Sequence, residues 1–250
     1  MNNKLYVVGD KLKDFSSNKK IITISDLEKL IKDSRKKSYL KKYDIHIGQG
    51  ISARRLNNLS VYLTNSGLNE VFRINMLSSY RKSTCNLTHK SKAKNIMISE
   101  PIQSNERTYE SLLMIEEDCA EMSDHVTGQH IQGMVLVEAA RQMVIAVTEK
   151  YFIADCYKGK IKFVTNSMET IFLNFVFPLS VSLEYQIIDI KRIHNANLSS
   201  KVLIKFIQNE KVVTEIIFKF SVFDARFIAE KETFLANQCI QSQLNDHSMV

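Results

Sequence analysis

The stretch IQGMVLVEAARQMVIAV, residues 131–147, decides the fold of this chain. It is apolar on nearly every side, and it is long enough for about four or five helical turns. A helix that is hydrophobic all round has to be buried all round, which a curled sheet provides. We therefore expect a central helix enclosed by a sheet, with Met134 and the other apolar residues of the stretch in the core.

The sequence after this helix predicts that sheet. Four runs have the composition of β-strands, and they are ETIFLNFVF, VSLEYQIIDI, KVLIKFIQ and KVVTEIIFKFSVFD, from residue 169 to residue 224. In the third run Val202, Ile204 and Phe206 alternate with polar residues, as expected for a strand with one buried face. Asn209-Glu210 suits a tight hairpin before the fourth run. One long helix followed by an antiparallel meander indicates the α+β class.

We divide the 250 residues into three parts: an N-terminal region 1–95, a central-helix domain 96–228 and a polar C-terminal tail 229–250. With 44% apolar residues the chain can bury a substantial core. In the N-terminal region, SVYLTNSGLNEVFRINML (residues 60–77) has the pattern of a strand, a turn and a second strand.

Composition argues against several classes of protein. No run of about 18 uncharged apolar residues is present, so we expect no membrane insertion, and the N-terminus lacks the features of a secretion signal. Four scattered cysteines without CxxC spacing indicate free thiols in the cytoplasm and no zinc site. The net charge of +7 comes with basic runs at residues 32–42 and 90–94 but no nucleic-acid motif. These runs either face an anionic partner or form a solvated surface.

The residues before the central helix suggest chemistry. His125 and His130 flank Gly128, and Gly133 opens the helix. Glycines allow a ligand to approach the backbone, and free N–H groups at a helix start can polarise a carbonyl oxygen. A histidine near such groups can act as a general base or acid. His130 can equally serve only to pack its loop. We expect no metal, since no third ligand accompanies the two histidines.

Glu138 and Arg141 place charge inside this apolar helix. A buried lone carboxylate is costly, so Glu138 has to be paired, protonated or next to a wet cavity. In the first alternative it forms an ion pair with Arg141 at the helix surface, and Gln142 is solvated. In the second, burial raises the pKa of Glu138 and fits it for proton transfer.

The motif DHVTGQHIQGMVLVEAARQM, residues 124–143, resembles the A-factor biosynthesis hotdog family, the γ-butyrolactone synthase type, in its Asp124-His125 pair and its EAARQ helix. It also resembles hotdog β-hydroxyacyl-carrier-protein dehydratases, although their prolines are replaced by Thr127 and Gln132. The resemblance implies a hotdog fold for residues 96–228. Since members of the family are similar to tandem hotdogs, residues 1–95 are expected to be either an incomplete second hotdog or a unit of another kind.

The resemblance also implies a function, namely transfer of a β-ketoacyl group from a thioester to a dihydroxyacetone-phosphate-like acceptor. The alternatives are a β-hydroxyacyl thioester dehydratase, a thioesterase and a non-catalytic acyl-binding hotdog. His125 and Glu138 are the implied catalytic residues. The residues implied in substrate binding are Gly128, His130, Gly133, Met134, Arg141 and Gln142. The implied partner is an acyl carrier protein or acyl-CoA, no cofactor is needed, and we expect a homodimer whose central helices pack side by side.

Overall fold

The computed structural model describes residues 3–34, 41–75, 80–124, 127–194 and 197–246. Its buried apolar residues form two clusters, one for each of two structural units. The smaller cluster lies within the N-terminal region, whereas the larger one surrounds the central helix. Part of the basic run at residues 32–42 lies outside the described residues.

The N-terminal unit is a parallel α/β unit. Its four strands are β1 (Asn3–Val8), β2 (Ile21–Thr23), β3 (Tyr43–Ile47) and β4 (Phe72–Asn75). They pair in the order β2-β1-β3-β4, and every pairing is parallel. The connecting helices are α1 (Ile24–Ser34) and α2 (Ala53–Asn65). They pack on the sheet through the smaller apolar cluster, which includes Val7, Ile24, Leu27, Ile31, Ile45, Leu59, Leu63 and Phe72.

This arrangement contradicts the expectation of an incomplete second hotdog at residues 1–95. A hotdog needs an antiparallel sheet that curls around one helix, whereas parallel strands need crossover helices that lie against the sheet. The prediction of a strand at residues 60–65 was wrong as well, because that segment is the second half of α2. The turn and the strand after it are present as Asn65–Gly67 and β4.

The second unit is the predicted helix and sheet. Its helix is α5 (Gly133–Tyr151), and short helices precede it, α3 (Cys85–Thr88) and α4 (Ala120–Asp124). Its six strands pair in the order β5-β6-β8-β9-β10-β7, all antiparallel. These strands are β5 (Ile102–Asn105), β6 (Thr108–Leu112), β7 (Ile161–Phe172), β8 (Ser182–His194), β9 (Asn197–Gln208) and β10 (Lys211–Asp224).

The sheet encloses α5 as its composition requires. Most of the helix is buried, including Val135, Leu136, Ala139, Ala140, Met143 and every residue from Val144 to Glu149. Met134 is an exception to the predicted core, because it is 67% exposed. Small residues at 139 and 140 are completely buried, which allows neighbouring elements to approach the helix closely.

The predicted hairpin and strand register are confirmed. Asn209 and Glu210 have φ of 50° and 64°, the left-handed pair that a two-residue hairpin requires. Val202, Ile204 and Phe206 are fully buried. In β10 a register shift between Val212 and Thr214 changes which residue faces the core at the start of the strand.

The two units contact each other at the carboxyl ends of β1 and β3. Nε2 of buried Gln49 donates to the carbonyl oxygens of Leu113 (2.8 Å) and Leu179 (3.2 Å), and its Oε1 accepts from the N–H of Ile115 (2.8 Å). A side chain from the first unit thus provides hydrogen-bond partners for buried backbone groups of the second. The 3₁₀ helix Asp10–Ser17 adds Leu12 and Phe15 to the larger core.

Of the residues assigned to a polar C-terminal tail, 229–246 form part of a helix. This helix, α6 (Ala225–Asp246), is exposed along nearly its whole length, including Phe234 and Leu244. Within the described part of the chain, no helix has both the length and the hydropathy to cross a bilayer.

The loops after β1 and β3, both in the N-terminal unit, approach each other closely, and this generates a stability prediction at Gly9. A Cβ added there lies 1.9 Å from the carbonyl oxygen of Gly50, although Gly9 has an ordinary φ of −62°. We expect Gly9→Ala to lower the free energy of unfolding, measured by urea denaturation, by about 3 kcal/mol because the two loops must separate.

The control is Gly67→Ala, where φ is +68° and no atom lies within 4 Å of the added Cβ. It introduces backbone strain alone and is expected to cost about 1 kcal/mol. Equal losses for the two variants would show that the close approach of Gly9 and Gly50 adds no cost beyond backbone strain.

Candidate functional site

The charged residues of α5 meet a lysine from outside the helix. Oε1 of Glu138 accepts hydrogen bonds from Nζ of Lys90 (2.7 Å), Nη2 of Arg141 (2.9 Å) and Nε2 of Gln142 (3.0 Å), and its Oε2 accepts from Nε of Arg141 (2.8 Å). The side chain of Glu138 is only 16% exposed. The predicted ion pair with Arg141 is therefore present, but it is largely buried and has a second cation.

These partners determine the ionisation of Glu138. Burial alone raises its pKa, but hydrogen bonds from Arg141, Lys90 and Gln142 outweigh it and lower the pKa to about 2. Glu138 in turn raises the pKa of Arg141. The expectation of a raised pKa at Glu138 was wrong, because it considered burial without the two cations. The carboxylate is ionised at neutral pH.

Gln142 is a structural partner of this carboxylate. It is completely buried, and its Oε1 accepts a hydrogen bond from the N–H of Met97 at 2.9 Å. Its Nε2 donates to the carbonyl oxygen of Asn95 at 2.9 Å as well as to Glu138. The expectation of a solvated Gln142 was therefore wrong. The residue joins α5 to the segment before β5 and holds the Glu138 carboxylate in place.

A groove of about 340 Å³ runs beside Glu138, between the first turns of α5 and the inner face of β7. Its lining combines apolar side chains with charged ones. The lining consists of Glu121, Met134, Val137, Glu138, Arg141, Thr165, Met168 and Phe218. Oε2 of Glu121 is buried and has no hydrogen-bond partner among the described residues. This groove brings together three of the predicted site residues, Met134, Glu138 and Arg141.

The loop before α5 is only partly accounted for. His125 lies outside the described residues, so its role stays a prediction. Gly128 has φ of +81°, and an added Cβ would lie 2.2 Å from a carboxylate oxygen of Asp14. Its carbonyl accepts a hydrogen bond from the N–H of Phe15 at 3.2 Å. Gly128 therefore packs against the 3₁₀ helix of the N-terminal unit, and the structure places it next to that helix and not in the groove.

The other two loop residues lie beside aromatic rings. The His130 ring packs on the Phe175 ring, with centroids 4.8 Å apart. The backbone carbonyl oxygen of His130 accepts a hydrogen bond from the Thr127 hydroxyl. A Cβ at Gly133 would lie 2.7 Å from the tip of the Phe172 ring, which is 55% exposed and has to shift to admit a larger residue. Neither His130 nor Gly133 is among the residues that line the groove.

The sequence did not reveal the contributions of Lys90 and Glu121. Lys90 was noted only as part of a basic run, and it lies 48 positions before the carboxylate that it contacts. Lys94 of the same run lies 3.8 Å from Asp118, so that run pairs partly with the protein itself. No group of three or more His, Cys, Asp or Glu residues in the described ranges is arranged to hold a metal ion.

Comparison with known proteins agrees with this architecture. Residues 78–224 match the model of the A-factor biosynthesis hotdog domain. A search of curated sequences gives no significant match. Similar solved structures include a thioesterase from Haemophilus influenzae, 14% identical, with 58% of this chain and 95% of that chain covered and a TM-score of 0.39.

Two structures from Pseudomonas aeruginosa are also similar. A mutant thioesterase is 11% identical, covers 58% of this chain and 98% of its own, and has a TM-score of 0.40. A conserved protein is 15% identical, covers 50% and 87%, and has a TM-score of 0.34. At this identity and with TM-scores below 0.5, these likenesses carry no argument about this chain.

One central helix wrapped by an antiparallel sheet, with a groove beside that helix, defines a hotdog protein. The family match covers more than half of the 250 residues and lies on this unit. The chain belongs to the A-factor biosynthesis hotdog family, and its parallel N-terminal unit precedes the matched region.

The lowered pKa of Glu138 predicts how stability depends on pH. Because the pKa is about 2 in the folded chain and 4.5 ordinarily, the stabilisation is present above pH 4.5 and is lost as the pH falls toward 2. Between pH 6 and pH 3 the native protein is expected to lose up to about 2 kcal/mol more unfolding free energy than Glu138→Gln does.

Urea denaturation of both proteins at the two pH values measures this difference, and Glu70→Gln at an exposed carboxylate is the control. The control is expected to follow the native protein. If Glu138→Gln also follows the native protein, Glu138 is not held ionised by its neighbours.

Proposed function

We propose that this protein is an enzyme acting on an acyl thioester and that its groove binds the acyl chain. The observation that carries the proposal is the groove itself, with apolar side chains along one wall and a charged end beside it. Met134, Met168 and Phe218 offer an apolar surface to a hydrocarbon chain. Arg141 offers a cation for a polar group. Apolar sites with a few placed polar groups are typical of small-molecule binding.

For the reaction we propose transfer of a β-ketoacyl group to a dihydroxyacetone-phosphate-like acceptor, as the family resemblance implies. The acceptor hydroxyl attacks the thioester carbonyl carbon as its proton passes to His125, the carbon–sulfur bond breaks, and the leaving thiolate takes the proton from His125. Arg141 faces the groove with its side chain 38% exposed and provides a cation for the acceptor phosphate.

In this proposal Glu138 positions its neighbours and does not transfer a proton. An ionised carboxylate with a pKa of about 2 holds Arg141 and Lys90 by charge, and it has no proton to donate at neutral pH. A dehydratase of the kind considered above uses this residue as its acid, so the ionised state favours acyl transfer over dehydration. The mass-spectrometry experiment below distinguishes acyl transfer from thioester hydrolysis and from non-catalytic acyl binding.

Mass spectrometry of the full chain with β-ketoacyl and β-hydroxyacyl carrier proteins, each with and without dihydroxyacetone phosphate, tests the reaction. We expect an acyl ester of dihydroxyacetone phosphate and free carrier thiol. Loss of water from the β-hydroxyacyl substrate would assign a dehydratase, free acid a thioesterase, and unchanged substrates a binding protein.

Arg141→Gln tests the phosphate site within the same assay. We expect KM for dihydroxyacetone phosphate to rise at least about ten-fold with little change in KM for the thioester, because one charge-assisted contact is lost. The matched control is Arg73→Gln on β4 of the N-terminal unit, which is expected to leave both constants unchanged. Equal increases in both KM values for Arg141→Gln would contradict a specific phosphate contact.

We also propose a homodimer, formed along β7. Among the described strands β7 is at the sheet edge and pairs only with β10, so its other edge can pair with a second chain. Large apolar side chains in and after β7 are exposed, namely Met168, Ile171, Phe172, Leu173, Phe175 and Phe177. The side-by-side packing of central helices is not supported, because the sheet of the same chain covers most of α5.

Light scattering at micromolar concentration is expected to give a mass of two chains, and Phe175→Ser should shift the protein toward one chain because it removes apolar area from the exposed set. Phe234→Ser, at an exposed phenylalanine of α6, is the control and is expected to leave the mass unchanged. A single-chain mass for the unmodified protein would refute the dimer.

A further inference from the structure

A second cleft, of about 620 Å³, lies near the carboxyl-terminal end of α5. It contains a thiol, an imidazole and a carboxylate together with three lysines, which are Cys85, His89, Glu149, Lys90, Lys158 and Lys162. None of the reaction steps proposed for the groove uses the thiol, the imidazole or this carboxylate. We propose that Cys85 is the nucleophile of a second reactive site, at which an acyl group passes from a phosphate-bearing thioester to the Cys85 thiol.

The backbone brings the thiol and the imidazole to the same cleft. Cys85 is the first residue of α3, and the N–H groups of His89 and Lys90 both donate to the Cys85 carbonyl oxygen, the latter at 3.1 Å. His89 follows the helix in the left-handed conformation, with φ of 51°, and its side chain lines the cleft together with that of Cys85. The ring contacts Glu149 and not the thiol, so the reaction requires the Cys85 side chain to rotate toward Nδ1 of His89.

The imidazole is held by a buried carboxylate. Nε2 of His89 lies 2.8 Å from Oε1 of Glu149, whose side chain is only 5% exposed. The edge of the Phe163 ring packs on the imidazole, with centroids 5.5 Å apart. Nδ1 of His89 has no hydrogen-bond partner among the described residues. A carboxylate that binds one ring nitrogen leaves the other as a base, which is the arrangement that activates cysteine and serine nucleophiles.

The positive charge of the cleft favours binding of an anionic carrier. Lys158 and Lys162 line it together with Lys90, and Glu149 is the one carboxylate among its lining residues. Lys90 contacts the carboxylate of Glu138, and Lys158 contacts that of Asp155. Lys162 therefore contributes most of the uncompensated positive charge in the cleft. Both coenzyme A and the phosphopantetheine arm of a carrier protein present a thioester on a phosphate-bearing chain, which such a cleft attracts.

The chemical step balances without any further reactant. The Cys85 proton moves to Nδ1 of His89 as sulfur forms a bond to the thioester carbonyl carbon. The carbon–sulfur bond of the substrate breaks, and the leaving thiolate takes the proton from His89. One thioester replaces another, and nothing is oxidised or reduced. Glu149 is a positioning residue, because it contacts His89 and not the reacting atoms.

The first test is alkylation of the full chain by iodoacetamide, followed by peptide mapping. Cys156 and Cys239 are both exposed and serve as internal controls for the half-buried Cys85. We expect Cys85 to react at least about ten-fold faster than Cys156 in spite of its lower exposure, because a base activates it. Equal or slower alkylation of Cys85 would overturn the proposal.

His89→Gln and Glu149→Gln separate activation from folding. Loss of local structure would expose Cys85 and speed its alkylation, whereas loss of the base slows it. We expect both variants to slow Cys85 to the rate of Cys156 or below while Cys156 and Cys239 keep their rates. A faster or unchanged Cys85 in His89→Gln would contradict the role of the imidazole.

The second test uses acyl-CoA and acyl carrier protein in separate arms, and it rests on the proposed class of substrate. We expect an acyl adduct at Cys85 that hydroxylamine removes and that is absent from Cys85→Ser. An adduct in one arm alone identifies the carrier. Absence of an adduct in both arms overturns acyl transfer at Cys85, whereas alkylation is independent of what binds in the groove, so the two proposals fail separately.

Discussion

The structure depends on the need to enclose α5 on all sides. Most residues of this 19-residue helix are inaccessible to water, because the six-stranded antiparallel sheet packs around it. The enclosure is incomplete at the groove, which Met134, Val137 and Arg141 line together with residues of β7. The position of the candidate site is therefore a consequence of where the sheet stops covering its helix.

Enclosure would be costly for the polar residues of α5 if they had no partners, and they have them. Glu138 contacts Lys90, Gln142 contacts the backbone at 95–97, and Glu149 contacts His89. These partners belong to one stretch, residues 89–97. This stretch packs against the side of α5 that the sheet does not cover, and it provides the hydrogen-bond partners of the polar residues there.

The sequence predicted those elements whose structure depends on the spacing of neighbouring residues. The central helix, the alternation in β9 and the hairpin at Asn209 follow from residue spacing and backbone preference, and all are present. The N-terminal unit was missed because its strands are only three to six residues long and gain their meaning from neighbours distant in sequence. Alternating apolar residues near Val61 suggested a strand where α2 buries Leu59 and Leu63 instead. At the site, Glu138 and Arg141 were found by their charge within an apolar helix, but Lys90 contacts Glu138 through tertiary structure alone.

The consecutive residues His89 and Lys90 contact carboxylates that lie three helical turns apart on α5. A ligand that draws Lys90 away from Glu138 in the groove must move the peptide that also carries the imidazole of the second cleft. The free energy of binding at one place then contains a contribution from the other. By thermodynamic linkage that contribution is reciprocal, so a single peptide bond gives this chain a means of cooperativity between two pockets.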